Sequence, residues 1–306
     1  MYRRAVLQLW GATGLAAVLP RVATASSETG ADAPGKQAIS ASDRLPAPEK
    51  GRIPVAFLLS AGAEVVDFAG PWGVFEYVSV PRLDDSPFEL YIVAETAAPV
   101  KVSGGMTVVP TYTLSNAPQP KVIVVPAQGE TTGAMLGWLK RASKGTDLTM
   151  SVCNGSFLLA KAGLLAGKAV TAHHNALTRL AADFPDVSVR RGARFVDAGN
   201  VSTAGGLTSG IDLALHVVER YYGREVAEKT ATLLEYQSLG WKDPNSNVAF
   251  ARRPVSTDEH PICPVCEMEV DKNAAPREAY RGRTYYFCSI EDKKRFDLTP
   301  DRFVDH

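Results

Sequence analysis

Four apolar segments in the middle of the chain constrain its fold more than any other feature. They are RIPVAFLLS, FELYIVA, KVIVVP and LTMSV. Strands that are apolar throughout are typical of a sheet covered by helices on both faces. Helical patterns alternate with them: PWGVFEYV, GAMLGWLKRA, SFLLAKAGLL and GIDLALHVVERYY. The alternation predicts an α/β domain over residues 51–242, with a doubly wound, mostly parallel sheet and REVAEKTATLLEYQ as its last helix.

The first 25 residues have the composition of an export signal. They begin with Arg3-Arg4, continue with a moderately apolar stretch and end in the small residues Ala23-Thr24-Ala25. The paired arginines favour a twin-arginine signal, and an ordinary secretory signal is the alternative. Either signal predicts a mature protein that begins near Ser26 and lies in a bacterial periplasm or outside the cell.

Two segments without apolar periodicity separate the predicted folded parts. Residues 26–50 are predicted to be a disordered leader, and residues 243–259 a linker between two independent cores. The formal net charge is 0, so charge gives no reason to expect nucleic acid or an anionic membrane as a partner. No segment of the predicted mature chain supplies the roughly 18 apolar residues of a membrane span.

Cys153 stands where LTMSV ends and the next helical pattern begins. Ligands of open α/β sheets bind at the carboxyl ends of the strands, and a thiol at this corner would face the N-terminus of a helix. The N–H groups there favour a thiolate and can hold an oxyanion. Cys153 is therefore the predicted nucleophile with a lowered pKa, Asn154 and Gly155 are the predicted oxyanion-binding residues, and Gly155 is expected to permit the tight turn. A buried structural cysteine is the alternative.

Asp67 and His173 are the predicted partners of this thiol. Asp67 follows the first strand at the same predicted sheet edge, where a carboxyl could act as general acid and base. The alternative is that Asp67 only caps a helix that begins near Pro71. His173 is predicted to line the pocket as a base or orienting group, although His173 and His174 could instead be inert residues at a helix start.

The segments SVCNGSFLLAKAGLLAGKAVTAHHNAL and VSTAGGLTSGIDLALHVVERYYG resemble the ThiJ/PfpI family of the class I glutamine-amidotransferase-like superfamily. The resemblance covers about residues 52–240. It implies a flavodoxin-like fold. It also implies that Cys153 is the family's reactive cysteine, Asp67 its first-loop acid and His173 a histidine near the cysteine. It also implies a small-molecule substrate and a homodimer. We expect no cofactor in this domain.

The segment VDFAGPWGVFEYV is similar to isocyanide hydratases, which add water to an isonitrile, and to the sensor domains of AraC-type regulators. The first similarity implies that the Cys153 thiolate attacks the isonitrile carbon while Asp67 transfers protons. A lyase, hydratase or hydrolase is therefore expected, and a non-catalytic ligand-binding, redox-sensing or metal-sensing protein is the alternative. VVPAQGE departs from the family's usual Val-Pro-Gly-Gly at Ala127 and Gln128. No helix-turn-helix pattern follows the domain, which counts against DNA binding.

Residues 260–306 form a module too small for a large hydrophobic core. Its sequence, ICPVCEMEVDKNAAPREAYRGRTYYFCSIEDKKRFDLTPDRFV, resembles a YHS domain, which implies a small metal-associated α+β module. REAYRGRTYYFC predicts a hairpin that turns at Arg281-Gly282, and SIEDKKRF predicts a helix after it.

A metal site is predicted in this module. Cys263 and Cys266 form a Cys-x-x-Cys knuckle, and Cys288 adds a third sulfur. Asp292 stands one helical turn after Cys288, where the YHS pattern commonly has another cysteine, and His260 is the alternative fourth ligand. Zinc is the expected ion, with copper or iron as alternatives. A Cys263–Cys266 or Cys266–Cys288 disulfide, without metal, is the competing interpretation.

Overall fold

The computed structural model describes residues 43–304 except Arg82 and Asp84, so the predicted signal peptide and most of the predicted leader lie outside the described residues. Thirteen strands occur in this part of the chain: β1 Ile53–Leu58, β2 Phe88–Ala94, β3 Val100–Lys101, β4 Thr107–Val108, β5 Tyr112–Thr113, β6 Val122–Val125, β7 Leu148–Val152, β8 Ala169–Val170, β9 Ser188–Val189, β10 Phe195–Asp197, β11 Val201–Ala204, β12 Arg277–Tyr280 and β13 Arg283–Tyr286. Seven α-helices accompany them: α1 Val65–Glu76, α2 Gly133–Ala142, α3 Gly155–Lys161, α4 Leu177–Asp183, α5 Ser209–Tyr222, α6 Arg224–Leu233 and α7 Ile290–Leu298.

A seven-stranded sheet forms the centre of the main domain. Its strand order is β10-β11-β7-β6-β1-β2-β5, and all of its pairs are parallel except β10 with β11. Val55 and Phe57 of β1 pack with residues of α1 and α5 on one face, whereas Ala56 and Leu58 pack with α2 and α3 on the other. Helices therefore cover both faces, and the predicted doubly wound α/β fold is confirmed.

The helix and strand bounds differ from the sequence prediction in two places that matter for the site. Helix α1 begins at Val65 rather than near Pro71, which puts Asp67 in its first turn. Strand β11 was not predicted because Ser202 and Thr203 interrupt its apolar pattern. Both polar side chains are buried, and the Thr203 hydroxyl oxygen accepts a hydrogen bond from the Thr171 N–H at 2.8 Å.

The YHS-like module consists of the β12–β13 hairpin and α7, with the predicted turn at Arg281-Gly282. Its core contains one residue from the main domain, Ala182 of α4, which packs in the same cluster as Cys263 and Phe287. Arg302 also donates to the Ala182 carbonyl oxygen at 2.6 Å. Helix α4 of the main domain therefore packs against the module.

The segments that were predicted to be leader and linker contact the main domain where they are described. The Leu45 N–H donates to the Arg220 carbonyl oxygen at 2.9 Å, so the end of the predicted leader contacts α5 at this residue. The Pro244 carbonyl oxygen accepts from the Arg194 N–H at 2.7 Å, and Phe250 stacks on His174. Among the described helices, none is long and apolar enough to cross a membrane.

Candidate active site

Cys153 lies on a strained turn between β7 and α3. Its φ angle is 58°, in the left-handed region that residues other than glycine seldom adopt. The Cys153 N–H donates to the carbonyl oxygens of Ala204 (3.2 Å) and Gly205 (2.9 Å) at the end of β11, which hold the turn in place. Such strain costs of the order of 1–3 kcal/mol and is concentrated at functional sites. The geometry is that of a nucleophile elbow.

Gly155 has a different role from the one expected. The left-handed residue of the turn is Cys153 itself, so Gly155 is not required for a positive φ angle. A Cβ atom at Gly155 would lie 2.1 Å from the Val125 carbonyl oxygen. Glycine is needed there because α3 begins directly against the end of β6, and that contact fixes the direction of the helix behind Cys153.

The surroundings of Cys153 raise its pKa. The residue is only 6% exposed, and burial, followed by the charge of Asp67, raises the pKa of the Cys153 thiol to about 12. The backbone N–H groups of Asn154 and Leu207 act in the opposite direction. The expected lowering of the Cys153 pKa is therefore wrong, because desolvation and a neighbouring carboxylate outweigh the amide groups. The backbone N–H groups of Asn154 and Leu207 still contact the Cys153 sulfur, so they can donate hydrogen bonds to it when it carries a negative charge.

Asp67 is completely buried beside this thiol. Its Oδ2 accepts a hydrogen bond from the Ala127 N–H at 2.9 Å, and its Oδ1 has no partner in the described structure. Burial raises the pKa of Asp67 to about 7, with the Ala127 N–H opposing and Glu64 reinforcing the shift. A carboxyl group that titrates near neutrality can both take and give a proton, which suits a general acid-base. Capping does not explain Asp67, because Glu64 is the N-cap residue of α1.

His173 lies on another side of the elbow. Its Nδ1 is 2.6 Å from the Asn175 side-chain oxygen, and its ring packs against His174 and Gly206. It lines a cavity of about 240 Å³ together with Leu207. Among the described residues no hydrogen bond joins either His173 or Asp67 to the Cys153 sulfur. The charge of Asp67 acts on the thiol, whereas His173 forms a wall of the cavity.

Sequence reasoning did not identify Gln128 as a structural anchor of the site, although the departure at Ala127 and Gln128 was the available signal. The Gln128 Oε1 accepts from the Ser60 N–H at 2.6 Å and from the Ser60 hydroxyl at 3.0 Å. These bonds fix the loop after β6 against the end of β1. The Ala127 N–H that contacts Asp67 is held by the same loop.

Two further cavities adjoin the elbow at Asn154. One, of about 400 Å³, is lined by Glu64, Ala127 and Asn154, and the other, of about 340 Å³, is lined by Asn154 and by the module's Cys266 and Cys288. A larger cavity of about 610 Å³ lies elsewhere, beside Asp197, His216 and Arg220. Its charges are mutually satisfied, since Asp197 is 2.9 Å from His216 and 3.3 Å from Arg220. The elbow cavities are therefore the better candidates for a reactive site.

The predicted metal ligands form one cluster. One ligand atom from each of Cys263, Cys266, Cys288 and Asp292 lies within 4.8 Å of the others. The Cys266 and Cys288 sulfurs are 3.2 Å apart, and an Asp292 oxygen is 3.2 Å from the Cys288 sulfur. A tetrahedral zinc site requires ligand separations of about 3.7 Å, so small shifts would admit the ion.

The chemistry of this donor set also fits a metal. Hydrogen bonds from the Cys266 side chain and from the backbone N–H groups of Cys266, Cys288 and Val265 lower the pKa of Cys263, while the same contact raises the pKa of Cys266. One thiolate is therefore favoured within the cluster, and metals bind the thiolate form. All four cysteines of the chain are free thiols here. His260 is exposed and pairs with Glu269 at 2.7 Å, so Asp292 is the fourth ligand that the fold supplies.

Comparisons with known proteins agree with this architecture. Residues 54–220 match the DJ-1/PfpI family, and residues 262–306 match the YHS domain. An isonitrile hydratase of Pseudomonas putida is 32% identical over 191 residues, which cover 60% of this chain and 78% of the relative. The transcriptional regulator CdhR of Pseudomonas aeruginosa is 27% identical over 175 residues, 56% of this chain and only 51% of the regulator.

A solved structure gives the same result for the main domain. The crystal structure of a THiJ/PfpI family protein from Pseudomonas syringae superposes with a TM-score of 0.56 at 28% sequence identity, covering 64% of this chain and 79% of that one. The family match spans more than half of the chain and includes both Asp67 and Cys153. The chain therefore belongs to the DJ-1/PfpI family, and a YHS domain follows that domain at residues 262–306.

Proposed function

We propose that this protein is an exported, cysteine-dependent enzyme that adds water to an isonitrile and releases an N-substituted formamide. The observation that carries the proposal is the pairing of Cys153, on its strained elbow, with a buried Asp67 whose pKa is about 7. The similarity to an isonitrile hydratase supports the same reaction. The signal-like first 25 residues support export, and the family resemblance supports a homodimer.

The first step joins the Cys153 sulfur to the terminal carbon of the isonitrile. Asp67, as the carboxylate, takes the thiol proton while the S–C bond forms, and then gives that proton to the same carbon. The product of this step is a thioimidate, R–N=CH–S–Cys153. The backbone N–H groups of Asn154 and Leu207 stabilise negative charge on the sulfur as the proton leaves.

The second step releases the product. Water adds to the thioimidate carbon, and Asp67 carries one water proton to the nitrogen. The C–S bond then breaks while a carbonyl forms, and the remaining hydroxyl proton returns to the sulfur. The net change is addition of one water to R–N≡C to give R–NH–CHO, with Cys153 and Asp67 restored.

The YHS domain has a structural part in this proposal. Zinc held by Cys263, Cys266, Cys288 and Asp292 would supply folding free energy to a module with a small core. The proposed reaction uses side chains of the main domain alone.

Formamide production from an alkyl isonitrile tests the function. Wild-type protein should release the formamide, and Cys153→Ala should release none above the uncatalysed background. Asp67→Asn should lose a factor of about 100 to 10,000, which is typical when a general acid-base is removed. Absence of turnover in the wild type, or full activity in Cys153→Ala, would refute the assignment.

A second candidate function is ligand binding without catalysis. The 6% exposure of Cys153, together with the 27% identity to a transcriptional regulator, favours it. A binding protein would take up a small molecule with the same affinity in wild type and in Cys153→Ala, and would convert none of it. Isothermal titration with an alkyl isonitrile and its formamide, on both proteins, separates the two functions.

A further inference from the structure

The two cavities beside the elbow share part of their walls. Asn154, Arg179 and Arg295 line both the 400 Å³ cavity next to Glu64 and Ala127 and the 340 Å³ cavity next to the module's cysteines. The shared space therefore extends from Asn154, the residue that follows Cys153, to the YHS domain. Its two arginines differ in whether a carboxylate pairs with them.

Arg295 is neutralised, whereas Arg179 is not. The Arg295 guanidinium donates to both carboxylate oxygens of Asp183, at 3.0 and 2.9 Å. The Arg179 guanidinium lies over the Phe157 ring, 4.5 Å from its centroid, and no carboxylate pairs with it among residues 43–304 as described. Stacking on an aromatic ring orients a guanidinium and leaves its N–H groups free for a planar anion.

Helix α4 explains why Arg179 points into this space. Its neighbours on the same helix hold the YHS domain: Thr178 donates to Glu267, and Asp183 accepts from Arg295. Glu267 is only 7% exposed and also receives Arg191, with one bond of 3.0 Å. The YHS domain therefore forms one wall of the cavity, and Arg179 is the α4 arginine that lines it.

Asn154 supplies a second unsatisfied group, next in sequence to the nucleophile. Its side-chain Oδ1 is buried and has no hydrogen-bond donor in the described structure. A buried carbonyl oxygen without a donor is unfavourable unless a ligand provides one. The amide N–H of a bound formamide product would satisfy it, while an anionic group on the same molecule reaches Arg179.

We propose that this shared cavity binds a small carboxylate-bearing molecule, with the carboxylate on Arg179 and the reacting carbon at Cys153. The inference rests on the proposed function for the reaction, and it narrows the substrate to isonitriles that carry a carboxylate. Arg179 is the specificity-determining residue of this site.

Alkylation of Cys153 tests the anion site independently of turnover. Iodoacetate and iodoacetamide deliver similar groups and differ in one charge. Peptide mass spectrometry of the full-length protein measures the rate at Cys153 for each reagent. The ratio of the iodoacetate to the iodoacetamide rate should fall about tenfold in Arg179→Gln, since a charge-assisted hydrogen bond is lost.

Matched variants control this experiment. Arg190→Gln removes an arginine that lines the distant 610 Å³ cavity and should leave the ratio unchanged. Arg179→Lys keeps the charge and should restore part of the ratio. In the wild type, added salt should lower the rate of Cys153 alkylation by iodoacetate and leave the rate with iodoacetamide unchanged. An unchanged ratio in Arg179→Gln, or salt that affects both reagents equally in the wild type, overturns the proposal.

Steady-state kinetics separate this inference from the proposed function. Arg179→Gln should raise KM for a carboxylate-bearing isonitrile about tenfold and leave KM for a neutral isonitrile unchanged. If the alkylation ratio falls but no isonitrile is hydrated, the anion site stands and the proposed reaction is wrong. If neutral and carboxylate-bearing isonitriles are hydrated alike by both proteins, the reaction stands and the anion site is wrong.

Discussion

Burial changes the pKa values of both Cys153 and Asp67. Burial raises the pKa of Cys153 to about 12 and that of Asp67 to about 7. Between these two values Asp67 is the carboxylate and Cys153 the thiol, so the resting site holds one base next to one proton donor. The thiolate is therefore needed only during attack on a bound electrophile, when Asp67 takes the proton.

The pH dependence of Cys153 alkylation tests this description. The rate with iodoacetamide should show an inflection above about 8.5, the value of a free thiol. Asp67→Asn should move that inflection to lower pH, because the carboxylate charge raises the Cys153 pKa. An inflection in Asp67→Asn that is equal to or higher than that of the wild type would show that the carboxylate does not oppose the thiolate.

The raised pKa of Asp67 also predicts that the free energy of unfolding depends on pH. The folded pKa of Asp67 is about 7 and its unfolded value 3.8, so the folded state binds the proton more tightly. This contribution to stability is complete below the unfolded value and is lost as pH rises through 7. Asp67→Asn should therefore be more stable than the wild type at pH 8, by up to about 4 kcal/mol, with little gain near pH 4. Denaturant unfolding of both proteins at pH 4 and pH 8 measures this difference in unfolding free energy. A difference between Asp67→Asn and the wild type that is equal at the two pH values would contradict the prediction.

The sequence was sufficient to identify these residues and insufficient to predict their state. Asp67 and Cys153 were located because each follows a strand at the same edge of a parallel sheet. The raised pKa values could not be predicted, since burial comes from α1, α5 and the loop after β6 together. The left-handed turn was assigned to Gly155 because glycine permits it most easily, whereas the hydrogen bonds to β11 impose it on Cys153.

At the scale of elements, α4 determines how the YHS domain is attached. Ala182 enters the module's core, and Thr178 and Arg191 both bond to the buried carboxylate of Glu267. Glu267 directly follows the metal-ligand candidate Cys266 and has a φ angle of 59°. The knuckle that carries two of the metal ligands is thus also one of the elements that hold the two domains together.

Removal of one partner from this buried ion pair should loosen the docking. Arg191→Gln leaves Glu267 with Arg253, 3.7 Å away, as its remaining charge partner, so we expect a loss of about 1–3 kcal/mol. We expect faster tryptic cleavage after Arg252 and Arg253 in Arg191→Gln, because the module and the adjoining segment open more often. Arg190→Gln, one residue away, is the matched control and should be cleaved at the wild-type rate. Equal cleavage of all three proteins would show that the ion pair does not secure the module.

The metal cluster gives a prediction about affinity. Protein purified under reducing conditions should contain about one zinc per chain. Asp292→Cys should bind zinc more tightly than the wild type, since a thiolate replaces a carboxylate in a sulfur-rich site, and Asp292→Ala more weakly. Competition with a chromogenic chelator measures the order of the three affinities. Metal-free protein with a Cys266–Cys288 crosslink, found by mass spectrometry, would instead identify a disulfide-linked module.

At the scale of the whole molecule, the apolar periodicity of the sequence predicted the central sheet and its covering helices. It did not predict how the YHS domain packs on the main domain. FELYIVA and LTMSV coincide with β2 and β7, because strands buried on both faces are continuous apolar runs. Docking of the YHS domain onto α4 depends on Thr178, Arg191 and Glu267, which are far apart in sequence and individually unremarkable. Their contact creates the walled cavity in which Arg179 and Asn154 lie, so the proposed specificity is a property of the assembled chain.

Detection of the covalent intermediate tests the central claim most directly. Wild-type protein mixed with an alkyl isonitrile and quenched within the first turnover should carry an adduct on Cys153 equal to the mass of the isonitrile. The adduct should decay as the formamide appears, and Cys153→Ala should form neither. Formamide release at the wild-type rate by Cys153→Ala, or the absence of both adduct and formamide in the wild type, would contradict nucleophilic catalysis at this elbow.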